Sequence, residues 1–266
     1  MPEILEVLRY ERLAARIVGR HIARVDTPDA WYLKRGADAS AMQAVATDAT
    51  VRAVRRIGKL LLVDFVERPT LGLRFGMTGR LFVDGVAGIG DLEYGSSRVE
   101  PAWERFRIVF DDDRTLVMHD PRRLGGVEIA PDESRLGPDA LALTCAALIE
   151  VLGRGRGAVK ARLMDQTCIA GLGNLLTDEI LWREHVDPRR AASTLMPREV
   201  ERLHMAMREV LRELDARGGS HTGDLQPARA RGAGCPRCAN TLAWERVGGR
   251  STYWCEACLA IVERKP

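Results

Sequence analysis

Cys235-Pro236-Arg237-Cys238 and Cys255-Glu256-Ala257-Cys258 are two Cys-x-x-Cys pairs separated by sixteen residues. Two such pairs supply four thiolates, the tetrahedral donor set of zinc. Gly248-Gly249 lies between them and reads as a hairpin turn, so the stretch predicts a zinc β-hairpin. Four thiolates leave no exchangeable position, which makes the Zn2+ structural rather than catalytic. The module is too small for a large core, and the metal supplies its folding energy. Arg250 follows the turn and falls at the hairpin tip, where insertion toward nucleic acid and plain solvent exposure are equally open.

Working back from this module, the text changes character twice. Residues 3–18 read as a helix, with Ile4, Leu5, Val7, Leu8, Leu13, Ile17 and Val18 spaced between Glu and Arg and Gly19 as the stop. From about 21 to 130 the chain carries β-rich runs at 21–26, 51–57, 59–66, 71–75, 80–83, 106–110, 115–119 and 126–130. Turn signals separate them, and many short strands with few helices suggest a β-sandwich. Pro131 to Pro138 reads as a linker. Helical patterns follow at 144–152, 158–166, 172–184 and 197–217, closed by Gly218-Gly219. The expected fold class is α+β multidomain, with an N-terminal helix plus β-sandwich over 2–131, a linker over 132–138, a helical domain over 139–222 and the zinc β-hairpin finger over 232–263.

The 266 residues are enough for about two domains with cores of their own. Net charge is +3, from 40 basic and 37 acidic residues. That is too mild to prove a polyanionic partner, but the basic residues cluster. Arg52, Arg55, Arg56 and Lys59 form one group, Arg122 and Arg123 another, with further groups over 154–162 and 229–237. Clustered basics can form a phosphate-binding stripe despite a modest total. No apolar run approaches the roughly 18 residues of a membrane span. Glu3 and Glu6 stand where a signal peptide carries basic residues, so a cytoplasmic protein is expected. Cys145 and Cys168 are isolated in apolar helical text and read as core residues.

Ala170-Gly171-Leu172-Gly173-Asn174 allows a tight turn between helices. The helix starting near Asn174 would offer free amides and a positive dipole end to a phosphate. Asn174 could cap that helix or bind phosphate itself, and Lys160 starts the preceding helical stretch. Met1-Pro2-Glu3 alone is an unremarkable start.

Together these stretches resemble the bacterial formamidopyrimidine-DNA glycosylase / endonuclease VIII family over essentially the whole chain. The likeness rests on Met1-Pro2-Glu3 with Glu6-Val7; Arg56-Ile57-Gly58-Lys59; Phe75-Gly76-Met77-Thr78-Gly79-Arg80-Leu81; and Asp120-Pro121-Arg122-Arg123-Leu124-Gly125. It continues from Lys160 through Met164-Asp165-Gln166 to Gly171-Leu172-Gly173-Asn174, and ends with the four-Cys finger and Gly249-Arg250. Each fragment is modest, while their order and spacing are specific.

The resemblance implies a helix–two-turn–helix fold for the helical domain and a monomer acting on double-stranded DNA with damaged bases or abasic sites. It implies a bacterial, nucleoid-associated enzyme. Its target nucleotide is rotated out of the duplex. By similarity, Pro2, freed of Met1, attacks C1′ of the sugar, Glu3 is the general acid/base, Glu6 supports it, and Lys59 reaches the reacting sugar and a phosphate. Met77, Arg122 and Leu124 match the positions that fill the vacated stack, although Met77 on its strand pattern would otherwise be core. Arg123, Lys160, Asn174 and Arg250 match phosphate-binding positions. Leu5 and Leu8 stand where the family's opening has Pro and Glu, and Leu124 stands where the formamidopyrimidine branch has Phe. Only Ser220 to Gly234 is available where that branch carries a longer loop that closes over 8-oxoguanine. A more open pocket is the consequence expected. A non-catalytic binder of damaged DNA on the same scaffold is a second reading. A zinc-ribbon transcription factor is a third, and it leaves Pro2-Glu3 unexplained.

Overall fold

The computed structural model describes residues 2–90, 92, 96 and 98–263. The chain divides into two compact units between Ser134 and Arg135.

The first unit opens with helix α1 (Ile4–Ala14), which continues as a 3-10 turn over Ala15–Ile17. Its apolar residues Val7, Tyr10, Leu13, Ala14 and Ile17 are buried in the main core. Among the described residues nine strands follow: β1 (Ile22–Asp26), β2 (Val51–Ile57), β3 (Leu60–Phe65), β4 (Leu71–Arg74), β5 (Arg80–Val83), β6 (Val86–Ala87), β7 (Glu104–Phe110), β8 (Thr115–His119) and β9 (Gly126–Ile129). They form a five-stranded sheet in the order β1-β7-β8-β5-β6 and a four-stranded sheet in the order β2-β3-β4-β9. Every named pairing is antiparallel. Leu61, Val63, Leu73 and Val127 of one sheet share a core with Leu81, Val83, Phe106, Ile108 and Met118 of the other, as a sandwich requires. One element differs from the sequence reading: helix α2 (Ala39–Ala46), capped by the Asp38 side chain, lies in text read as strands and turns. Half of its eight residues are alanine, which gives little apolar periodicity to read.

The second unit contains α3 (Cys145–Gly153), α4 (Val159–Met164), α5 (Asn174–Glu184) and α6 (Pro197–Arg217). The hairpin β10 (Ala243–Val247) and β11 (Arg250–Trp254) and helix α7 (Glu256–Glu263) complete it. The zinc hairpin lies within this second unit. Trp182 of α5 packs in one apolar cluster with Leu225, Leu242 and three of the cysteines. Among the described residues, no helix is long and apolar enough to cross a membrane.

Candidate active site and nucleic-acid interface

Pro2 is buried at the head of α1, and Glu3 beside it is fully buried. Glu3 is the N-cap, and the Glu6 carboxylate accepts a hydrogen bond from the Glu3 amide at 2.8 Å. This capping box fixes the backbone next to Pro2, and the helix dipole favours the two carboxylates there. Gly58 and Lys59 form the two-residue turn joining β2 to β3, with Gly58 at φ +56°. Arg56 donates from Nη1 to the Gly58 carbonyl at 3.1 Å, and its Nε lies 3.5 Å from Glu11 of α1. The turn that presents partly exposed Lys59 is thereby tied to the helix that begins behind Pro2.

Met77 departs from its strand pattern. It lies in the turn between β4 and β5 and is partly exposed, because Gly76 at φ +56° ends the strand before it. Arg122, Arg123 and Leu124 are exposed in the loop between β8 and β9, Leu124 by 50%. The two loops touch through their backbones. A Cβ added at Gly76 would lie 2.4 Å from the Leu124 carbonyl carbon, so only glycine permits this approach. Met77, Arg122 and Leu124 are thus carried on adjoining loops.

Arg123 already has a partner inside the fold. Its Nε and Nη2 each donate to Asp29 at 2.6 Å, and the guanidinium holds the Asp29 carboxyl below the usual carboxylate range. Five N–H donors on a guanidinium leave others for a phosphate. Nothing in the sequence marked Asp29, which stands 94 residues from Arg123.

In the second unit, Gln166 folds the glycine turn. Its amide donates to the Met164 and Leu172 carbonyls and accepts from the Gly171 N–H. Gly173 is the N-cap of α5, and Asn174 is the first helical residue rather than the cap. No cap bond consumes the Asn174 side chain, and its Oδ1 is buried without a hydrogen-bond donor among the described residues. Arg250 is exposed next to the Gly248-Gly249 turn, as its place at the hairpin tip predicts.

Lys160 requires a correction. It is wholly buried, and its ammonium bonds Asp178 Oδ1 at 2.6 Å, Thr252 Oγ1 at 2.7 Å and the Ser251 carbonyl at 3.1 Å. Arg229 donates to the other Asp178 oxygen at 2.7 Å. Burying an unpaired charge is expensive, so these groups are committed to one another, and Lys160 cannot reach a phosphate from this position. It pins α4 and α5 to the zinc hairpin.

The four Sγ atoms of Cys235, Cys238, Cys255 and Cys258 lie within 4.8 Å of one another. Cys235 to Cys258 is 3.9 Å, Cys238 to Cys258 3.5 Å and Cys238 to Cys255 3.4 Å. Tetrahedral zinc with ~2.3 Å bonds needs edges of about 3.8 Å, and a disulfide would need about 2 Å. The cluster therefore fits one zinc ion. Trp182 Nε1 donates to Cys235 Sγ at 3.4 Å, an outer contact that orients a ligand thiolate.

The short 220–234 segment is strapped down along its length. Glu179 of α5 accepts from the Asp224 and Leu225 amides at 3.1 and 2.9 Å. Arg229 bonds Asp178 and the Asn174 carbonyl, and Arg231 stacks on Trp244 at 3.8 Å.

Comparison with known proteins covers nearly the whole chain. Residues 1–127 match the Formamidopyrimidine-DNA glycosylase N-terminal domain. Residues 136–224 match the Formamidopyrimidine-DNA glycosylase H2TH domain, and 235–261 match the zinc finger found in FPG and IleRS. The formamidopyrimidine-DNA glycosylase of Pelotomaculum thermopropionicum is 32% identical over 98% of this chain and 100% of its own length. That of Paracoccus denitrificans is 33% identical over 97% of this chain and 99% of its own. In fold, the chain is similar to the Lactococcus lactis Fpg in complex with an abasic site containing DNA. The TM-score is 0.79 at 23% identity, over 97% of this chain and 99% of that one.

Proposed function

Because this chain belongs to the formamidopyrimidine-DNA glycosylase family, we propose that it excises damaged bases from duplex DNA and cleaves the resulting abasic site through an adduct on Pro2. The single observation that carries this reading is the buried Glu3, held by Glu6 at the residue next to Pro2.

With Met1 removed, Pro2 presents a secondary α-amine. Such amines titrate near ~8, well below a Lys side chain, so a useful neutral fraction exists at physiological pH. The nitrogen lone pair forms a bond to C1′ of the flipped nucleotide. The glycosidic bond breaks, and its electron pair and a proton leave with the base. Glu3 protonates the ring oxygen as the sugar opens, and loss of the amine proton leaves an iminium. The iminium draws electrons from C2′, which permits β- and then δ-elimination of the flanking phosphates. Met77, Arg122 and Leu124 fill the vacated stack, offsetting an unstacking cost of a few kcal/mol. Lys59, Arg123, Asn174 and Arg250 bind phosphates, which gives affinity without sequence preference. Action on duplex DNA fits a bacterial, nucleoid-associated enzyme.

The test is a labelled duplex bearing one abasic site. Strand cleavage that leaves a phosphate on both sides of the gap supports the reading. Tight binding without cleavage by correctly processed protein overturns it and leaves a non-catalytic binder.

Two further outcomes follow from the second unit. Zinc bound by four thiolates is folding energy for the hairpin. Chelation is therefore expected to melt β10–β11, release Trp182 from Cys235 and weaken duplex binding at least tenfold, read by Trp fluorescence and gel shift. Unchanged fluorescence after verified zinc loss would contradict this. Because 220–234 is strapped to α5, it lacks the slack to close over a lesion. Excision of 8-oxoguanine is expected to be at least tenfold slower than excision of a ring-opened purine or an oxidised pyrimidine in a matched panel, and equal rates would refute the point.

A further inference from the structure

We propose that Asp120 is the positioning residue that sets the void-filling side chains before DNA arrives. The proposal rests on the reading that Met77, Arg122 and Leu124 fill the vacated stack, and it adds the device that holds them.

Asp120 directly follows β8 and is 0% exposed. A buried carboxylate is tolerated only where its oxygens receive hydrogen bonds. Three of them come from the two exposed loops, and the Tyr32 side chain faces the same carboxylate. Oδ1 accepts from Thr78 Oγ1 at 2.6 Å, one residue beyond Met77. The same oxygen accepts from the Arg122 amide at 3.2 Å, and Oδ2 accepts from the Gly125 amide at 2.8 Å, next to Leu124. One rigid group thus grips the Met77 turn and both ends of the Arg122–Leu124 stretch.

The main chain of Asp120 is fixed as well. Its N–H donates to the Trp103 carbonyl at 2.8 Å, and its carbonyl accepts from Arg105 Nε at 2.9 Å and the Arg123 amide at 3.3 Å. The gripped loops are already in backbone contact at Gly76 and Leu124. Tyr10 of α1 then donates to the Gly79 carbonyl at 3.1 Å. The wedge is therefore referenced to the same helix whose head carries Pro2 and Glu3. A wedge already ordered before insertion spends no binding energy on ordering itself.

Two substitutions separate this role from general stability. Asp120→Asn keeps the shape and can still accept from Thr78 and Arg122, but its amide meets the Gly125 N–H donor to donor. Thr78→Val cuts only the link to the Met77 turn. Each variant is compared with wild type on two substrates, after thermal melting confirms folding. One is a duplex with a damaged base, where the stack must be opened. The other is a single-stranded abasic oligonucleotide, where there is no stack to fill, scored by borohydride trapping.

Both variants are expected to lose about tenfold or more in duplex excision, a barrier change of roughly 1.4 kcal/mol. Single-strand trapping is expected to stay within about threefold of wild type. Equal losses on both substrates would show Asp120 to be merely structural, and full duplex activity in both variants would remove it from the mechanism. If Asp120→Asn does not fold, Thr78→Val alone decides by the same two ratios. Wild type that traps on neither substrate overturns the Pro2 reading itself and takes this inference with it.

Discussion

Glu3→Gln is expected to slow base excision by about 10²- to 10⁴-fold, the range for loss of a positioned general acid. The structure makes this a clean substitution. Glu3 caps α1 and is fully buried, and the Glu6 carboxylate fixes its amide rather than its side chain. Glutamine keeps the length, retains an oxygen for the cap and removes the proton that the ring oxygen needs. Changing a cap costs at most about 1–2 kcal/mol even when the capping oxygen is removed outright, and here an oxygen stays. The expected pattern is therefore a near-normal melting temperature with a large fall in the single-turnover rate. Excision within threefold of wild type would remove Glu3 as the proton donor. A fall in rate matched by unfolding would mean that it only caps the helix.

Lys160→Met carries the largest expected stability effect. Removing one partner of a buried ion pair costs about 3–5 kcal/mol, because the other charge stays buried. Asp178 is 2% exposed, and burial already pushes its carboxyl up against the pull of Arg229 and Lys160. Without the ammonium, Thr252 and the Ser251 carbonyl also lose their donor. The melting temperature is expected to drop by roughly 10 °C or more. The double substitution Lys160→Met with Asp178→Leu should recover part of it, since an apolar pair leaves no orphan charge. The phosphate-binding role implied by the resemblance makes the opposite forecast. There the melting temperature would hold, and the salt dependence of DNA binding would weaken by about one phosphate contact.

The elements with strong local signals were legible in the sequence. β-rich runs bounded by turn signals match β2, β3, β7 and β8 to within a residue or two, because these strands carry most of the buried apolar residues of the sandwich. Helix α6 coincides with the span 197–217, between Pro197 and the two glycines that follow Arg217. The zinc ligands were legible because four soft donors at fixed spacing have few other uses. Helix α2 was not, for want of periodicity. Long-range pairing was illegible in principle. Asp29 meets Arg123 and Asp120 meets Thr78 only after the sheets form. Lys160 shows the converse, since the resemblance matches it to a phosphate-binding position while the fold places Asp178 beside it. Sequence spacing reports which face a residue takes on its own element, and it is silent about what another element brings to that face.

The central claim is that chemistry occurs at the nitrogen of Pro2, and mapping the covalent adduct tests it most directly. Zinc-loaded protein with Met1 removed is incubated with an abasic duplex and borohydride, digested, and its N-terminal peptide read by mass spectrometry. One reduced sugar adduct is expected on Pro2, absent from protein that retains Met1. An adduct on a lysine such as Lys59, or equal trapping when Met1 blocks the amine, would contradict it.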